Sequence, residues 1–232
     1  MSSLNDIMTI NCPKCGYIHR KNIELYNSKL RKQSFGISPI LPTCSFCGSE
    51  VTFDRSNICS NDRKVIALTG TCASGKSATA EMLMQQYGFD VIDGDCVMQV
   101  VKHKMGINKI EFDAPEMYEE IEVEIDILLS FQRDIVISHV ITPGDINIYR
   151  EIFNQRKLNY KIFLLHPRYA SAIARSKTRT CHNSITPEQW VKYFYEELSV
   201  FKDQNNGDVI IFNNSDYSVE ESVKKIMEEY YN

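Results

Sequence analysis

The chain has 232 residues, 43% hydrophobic and 24% charged, with a formal net charge of −4. That composition fits one mid-sized globular domain plus a small one. No run approaches the ~18 apolar residues of a membrane span, and the polar start MSSLNDIM has no signal-peptide core, so a cytoplasmic protein with no membrane partner is expected. Charge is uneven: residues 1–60 carry a formal +3 and the remainder −7, so the larger part is no generic nucleic-acid binder.

Eight cysteines without an export signal point to metal ligation or unpaired thiols rather than disulfides. Cys12-Pro13-Lys14-Cys15-Gly16 is answered, after 28 residues, by Cys44-Ser45-Phe46-Cys47-Gly48. Each C-x-x-C can direct two thiolates at one ion, and a glycine after the second cysteine suits a tight knuckle. The segment resembles a zinc ribbon: Cys12, Cys15, Cys44 and Cys47 would hold Zn²⁺ in a closed structural site, which a domain of this size needs to offset its chain entropy. Four thiolates and one Zn²⁺ bring the ribbon's charge to about +1, so nucleic acid is a possible but not a favoured partner. Gly48 to Asn61 ends the ribbon with a strand expected at Val51 to Phe53 and then a polar connector, which divides the chain into 1–60 and 61–232.

Val65 to Tyr87, VIALTGTCASGKSATAEMLMQQY, organises the larger domain. Gly70, Gly75, Lys76 and Ser77 fit G-x-x-x-x-G-K-[ST], with Thr71, Cys72, Ala73 and Ser74 between. An apolar β-branched run leads in as a buried strand, and strong helix formers from Ala78 onward lead out. Such a strand, loop and helix present inward amides and a helix dipole to phosphate. Lys76 then reaches the β- and γ-phosphates of ATP, and the Ser77 hydroxyl ligates Mg²⁺.

Phe89 to Asp93 reads as a second strand, followed by Gly94 and Asp95. Two carboxylates one residue apart at the exit of a parallel strand point into the phosphate crevice, one to serve Mg²⁺ and one to take a proton; the bland alternative is a polar turn with Asp95 capping the next helix. The sequence here resembles the P-loop kinases of nucleotides and small metabolites, such as shikimate kinase, gluconate kinase and chloramphenicol phosphotransferase, from Lys64 to about Tyr230. The resemblance implies Asp95 as base, Asp93 as the metal-side carboxylate, and a three-layer α/β/α fold on a five-stranded parallel sheet in order 2-3-1-4-5.

Further along, Cys96 to Lys104 and the segment from Pro115 read as helices, the latter with a core stripe of Met117, Ile121, Ile125 and Leu128. Glu111 to Asp126 holds eight acids and no base, the pattern of a solvated face. No arginine occurs between Arg63 and Arg133, which favours a neutral or cationic hydroxyl acceptor over an anionic one, since planar guanidinium is the usual grip on phosphate or carboxylate. Asp134 to Ile141 is a third strand that ends in Ser138 and His139 where a P-loop protein ordinarily carries an aspartate. His139 is either a core histidine or a hydrogen-bonding partner of the acceptor.

Ile146 to Lys157 reads as a helix, Tyr160 to Leu165 as the fourth strand and Arg168 to Arg179 as a helix carrying Arg175 and Arg179 on one face. That pair is either a basic surface or, as the resemblance implies, a lid over the phosphates. Thr186-Pro187-Glu188-Gln189 starts a helix with buried Val191, Phe194, Leu198 and Phe201. Asp208 to Phe212 is the fifth strand, and Ser218-x-x-Glu221 caps the last helix. The resemblance places adenine near Asn213, Asn214 and Ser215. The sequence thus points to an ATP-dependent kinase of a small-molecule hydroxyl. The alternatives are a nucleoside or polynucleotide 5′-hydroxyl kinase that uses the ribbon to present its substrate, and a non-enzymatic ATP-binding regulatory module.

Overall fold

The computed structural model describes residues 7–11, 14–15, 18–22, 47–49, 63–111, 113–130, 133–178, 188–202 and 209–231. Cys12, Cys44 and Arg179 lie outside them. In the N-terminal part, β1 (Ile7–Asn11) and β2 (Ile18–Asn22) pair antiparallel, Ile7 opposite Asn22 and Asn11 opposite Ile18.

The larger domain alternates strands and helices as the sequence predicts. In chain order it comprises β3 (Lys64–Gly70), α1 (Lys76–Tyr87), β4 (Asp90–Asp93), α2 (Gly94–Met105), α3 (Pro115–Ser130) and β5 (Ile135–Ser138). It continues with α4 (Ile146–Gln155), β6 (Asn159–Leu165), α5 (Tyr169–Thr178), α6 (Glu188–Ser199), β7 (Val209–Phe212) and α7 (Val219–Tyr231). The sheet order is β4-β5-β3-β6-β7 with every neighbouring pair parallel, which is 2-3-1-4-5 counted within the domain.

Strand alternation divides the core into two layers. Val65, Ala67, Ile135, Ile137, Ile162 and Leu164 pack on the side of α2, α3, α4 and α6. Ile66, Leu68, Val136, Phe163 and Leu165 face α1 and α7. Apolar burial on both faces is what lets β3, β5 and β6 run as continuous β-branched and leucine-rich segments.

Local signals fix most boundaries. Gly88, with φ 75°, ends α1 by donating its amide to Met84 O at 3.1 Å. At α7 the capping box forms in both directions: Ser218 N donates to Glu221 Oε2 at 2.8 Å and Glu221 N to Ser218 Oγ at 3.2 Å. The four α6 positions predicted to be buried, Val191, Phe194, Leu198 and Phe201, are buried.

Three expectations are corrected. β5 stops at Ser138 rather than running to Ile141, because the Thr69 hydroxyl binds both Ile141 N (2.8 Å) and Ile141 O (3.1 Å) and bends the chain over β3. The α3 stripe ends on Leu129, 1% exposed, with Leu128 only partly buried. Nor is the acidic segment merely solvated. The Arg156 side chain, 0% exposed, donates from Nε to Asp126 at 2.7 Å, from Nη2 to Glu122 at 3.1 Å and from Nη1 to Ile152 O at 2.9 Å. Lys104 also pairs with Glu120. The buried guanidinium thus joins the end of α4 to the middle of α3.

His166, at the exit of β6, is buried, stacked on Tyr195 at 4.3 Å, and its Nδ1 has no partner among the described residues. Burial, helped by Lys202, pushes its imidazole down to about 4. The unfolded chain therefore binds a proton that the folded chain does not between about pH 6.5 and 4, and stability falls as pH falls through that window. Urea denaturation at pH 7 and about pH 5 is expected to show about 2 kcal/mol of acid loss that His166→Phe, which keeps a stacked ring, does not show.

Candidate active site

A cavity of about 440 Å³ opens at the carboxyl ends of the parallel strands, where open α/β sheets place ligands. One wall is the turn between β3 and α1. At Gly70, φ is 151° and a Cβ would lie 2.5 Å from both Leu165 O and Ser74 Oγ, so the backbone passes where no side chain fits. Ala73 (φ 62°) and Gly75 (φ 104°) are both left-handed, which curls the turn around the cavity. The bond from Thr79 N to Gly75 O, 2.9 Å, opens α1, and no side chain caps the helix. The Ser77 and Ala78 amides precede that bond at the cavity wall, with the positive end of the helix dipole behind them.

The turn is held from outside. Thr71 Oγ1 donates to Val191 O of α6 at 2.9 Å. Ser74 O accepts from Asn214 Nδ2 at 2.8 Å and from Arg175 Nη1 at 3.5 Å, and Arg175 Nη2 reaches Asn214 O at 2.9 Å. Lys76 folds over the turn, its Nζ donating to Gly70 O (2.8 Å) and Thr71 O (3.0 Å).

The end of β4 forms the opposite wall. Asp93 is in register with Ser138, which in turn is in register with Leu68 of β3, so the second strand delivers its carboxylate level with the phosphate turn. Asp93 Oδ1 accepts from Asp95 N (2.9 Å) and Cys96 N (3.4 Å) and so caps α2, while Oδ2 lies 3.4 Å from Ser77 Oγ. Asp93, not Asp95, is therefore the helix cap, and the Asp95 side chain lines the cavity. The donor set of Ser77 hydroxyl and Asp93 carboxylate is oxygen only, which fits Mg²⁺.

His139 stands beside these carboxylates. Its Nδ1 is 2.7 Å from the hydroxyl of the fully buried Tyr149, while Nε2 has no partner among the described residues. Burial, with Lys76 nearby, pushes the imidazole down to about 4, so it is neutral at pH 7. Burial likewise raises the Tyr149 hydroxyl well above its ordinary range. Gly94 makes room for the ring: a Cβ there would stand 2.1 Å from His139 Cδ2.

Of the residues singled out in the sequence, Cys72, Ala73, Gly75, Lys76, Ser77, Ala78, Asp93, Asp95 and Arg175 all line the cavity. Gly70, Thr71 and Ser74 are not lining residues but shape the turn from behind. Asn213 is corrected: its Oδ1 is taken by Ser215 N (3.0 Å) and Ser215 Oγ (2.6 Å), and its neighbour Asn214 lines the cavity instead. Asn214 Oδ1 and Ser74 Oγ are buried polar atoms without partners among the described residues. Sequence reasoning missed Tyr217 and Ser222, which line the cavity at the start of α7. The only signal for them was their position beside the Ser218 capping box.

A five-stranded parallel sheet in this order, with helices on both faces and a glycine-containing turn leading into α1, is the fold of solved P-loop kinases, and this chain has that fold. Solved structures of that fold include a gluconokinase from Sinorhizobium meliloti, with 17% identity over 72% of this chain and 91% of that one, at a TM-score of 0.55. A sugar kinase from Janibacter sp. matches at 15% identity over 72% and 92%, with a TM-score of 0.53. No family profile matches the sequence, and no curated protein was found to match it. Among the described residues, no helix is long and apolar enough to cross a membrane, and no group of three or more His, Cys, Asp or Glu is arranged to hold a metal.

The contact between Gly94 and His139 is directly testable. Alanine ordinarily favours a helix, yet Gly94→Ala is expected to destabilise the protein by roughly 1–3 kcal/mol because the ring must move. Combining it with His139→Ala should recover most of that loss in chemical denaturation.

Proposed function

We propose that the chain is an ATP-dependent kinase that phosphorylates a hydroxyl of a small neutral or cationic acceptor. The observation that carries this reading is a single cavity with Lys76 and Ser77 at the head of α1 on one wall and Asp93 and Asp95 on the other. In this reading the amides from Cys72 to Ala78 receive the phosphates. Lys76 Nζ exchanges the carbonyls of Gly70 and Thr71 for β- and γ-phosphate oxygens. Ser77 Oγ and Asp93 would hold Mg²⁺, which would supply charge stabilisation to the phosphoryl oxygens.

Asp95 accepts the proton that the acceptor hydroxyl loses as its oxygen bonds to the γ-phosphorus and ADP departs. Arg175 brings positive charge to the phosphate end, and Arg179 completes the pair read from the sequence. Arg175 is the only arginine among the described lining residues and belongs to the nucleotide side. That leaves no planar fork to grip an anionic acceptor, which supports a neutral or cationic one.

The test is Asp95→Asn, with nucleotide affinity followed by a fluorescent ATP analogue and ADP formation measured across neutral, cationic and anionic hydroxyl compounds. Turnover should drop roughly 10²–10⁴-fold with ATP binding retained. Unchanged turnover would remove Asp95 as base, and a strong preference for an anionic acceptor would remove the substrate class.

We further propose that residues 1–60 form a separate small domain in which Cys12, Cys15, Cys44 and Cys47 hold one structural Zn²⁺. In support, the first C-x-x-C lies in the connection between antiparallel β1 and β2. Gly48, directly after Cys47, has the left-handed φ of 68° that a knuckle uses. Elemental analysis of the purified full chain should find about one zinc per molecule, and Cys15→Ser or Cys47→Ser should each remove it.

A further inference from the structure

Beside the carboxylate assigned as base, the cavity wall is apolar. Asp95 and Met98 both line the cavity, and on α2 they are three residues apart, a spacing that puts two Cβ atoms about 5–6 Å from each other on one helix face. Val140 joins them from the segment after β5. That segment is pinned to β3 on either side of it, His139 N donating to Leu68 O at 3.2 Å and Ile141 N to Thr69 Oγ1 at 2.8 Å, which holds Val140 at the cavity wall. Cys72, in the turn after β3, completes a strip across the ends of three neighbouring strands. Met98, Val140 and Cys72 are each partly buried: they pack on the core layer below α2 and α3 and keep a remaining face on the cavity.

Polar surface on this wall is scarce apart from the carboxylates. Ser138 and His139 are only 4% and 6% exposed, and Tyr149 already occupies His139 Nδ1. Asn214, Tyr217, Ser218 and Ser222 line the cavity from the β7 side. A ligand hydroxyl set against Met98, Val140 and Cys72 would give up water without gaining a comparable partner. Hydrocarbon in the same place leaves water with a gain of about two- to fourfold in affinity for each methylene buried.

We infer that Met98, Val140 and Cys72 select an acceptor whose reacting hydroxyl is attached to a hydrocarbon body of several carbon atoms, an alcohol with an apolar face rather than a polyol. This deepens the kinase reading above and rests on its assignment of Asp95. With the hydroxyl at Asp95, the next side chain on that face of α2 is Met98, so the carbons behind the hydroxyl meet the thioether and then Val140. The unbranched, polarisable methionine accommodates an alkyl chain or the edge of a ring.

The test uses the full chain carrying ¹³C-methyl methionine, with ADP and Mg²⁺ present, titrated with glycerol, propan-1-ol, butan-1-ol, pentan-1-ol and benzyl alcohol. Met98→Leu identifies the methyl resonance by removing it. The alkanols should shift that resonance saturably, with affinity rising about two- to fourfold for each added methylene. Benzyl alcohol should displace it furthest, through its ring current, and glycerol should leave it in place. Saturation-transfer NMR of the alcohols follows the variants. Met98→Gln, which keeps the length of the side chain, and Val140→Thr, which keeps its shape, should each flatten the rise with ADP affinity retained, and Met98→Leu should preserve it. Glycerol binding as tightly as pentan-1-ol, affinity that does not rise along the series, or a rise that survives both Met98→Gln and Val140→Thr would each overturn the inference.

Failure of the kinase reading has a different signature. If the alkanols bind in this way but neither they nor glycerol release ADP from ATP, the apolar strip stands as a binding surface and the transfer reading falls. If glycerol is phosphorylated with a KM below that of pentan-1-ol, transfer stands and the apolar selection falls.

Discussion

Asp93 divides its two carboxylate oxygens between two tasks, and the rest of the site depends on that division. Oδ1 starts α2 by accepting amides at its first turn, while Oδ2 faces the Ser77 hydroxyl across 3.4 Å. One side chain therefore fixes where β4 becomes a helix, how close that helix comes to the phosphate turn, and which way Asp95 projects. The register that levels Asp93 with Ser138 and Ser138 with Leu68 makes this possible. A slip of one residue in a parallel pair would turn the carboxylate into the apolar layer on the other side of the sheet.

Most of the architecture was legible in the sequence because its signals are local. The glycine and lysine spacing of the phosphate turn, the alternation of apolar strands with amphipathic helices, and the capping box at Ser218 each act within a few residues. What was hidden depends on distance or direction. Arg156 finds its acidic partners 30 and 34 residues away, so the run of acids on α3 looked like a solvated face. The cap of the helix after β4 is Asp93 rather than Asp95, because capping depends on the angle at which the strand leaves the sheet. Asn213 and Asn214 are chemically identical neighbours, and only the path after β7 decides which one meets the cavity and which folds into its own turn.

The uncharged pair Ser138 and His139 at the end of β5 also has an electrostatic logic. A third carboxylate beside Asp93 and Asp95 would crowd like charges into one wall, and mutual repulsion would raise the proton affinity of at least one of them. A neutral ring keeps the position polar without adding negative charge. Tyr149 and Gly94 supply the geometry, one by a hydrogen bond and the other by having no side chain.

Arg175 illustrates how the site is prepared before any ligand arrives. Its guanidinium is already lodged on carbonyl oxygens of both the phosphate turn and the segment after β7. A long cationic side chain that is immobilised as the protein folds surrenders its rotational freedom at that stage rather than at the encounter with a ligand. The positive potential at that end of the cavity is consequently a fixed attribute of the resting protein, needing little dipolar rearrangement if anionic charge enters.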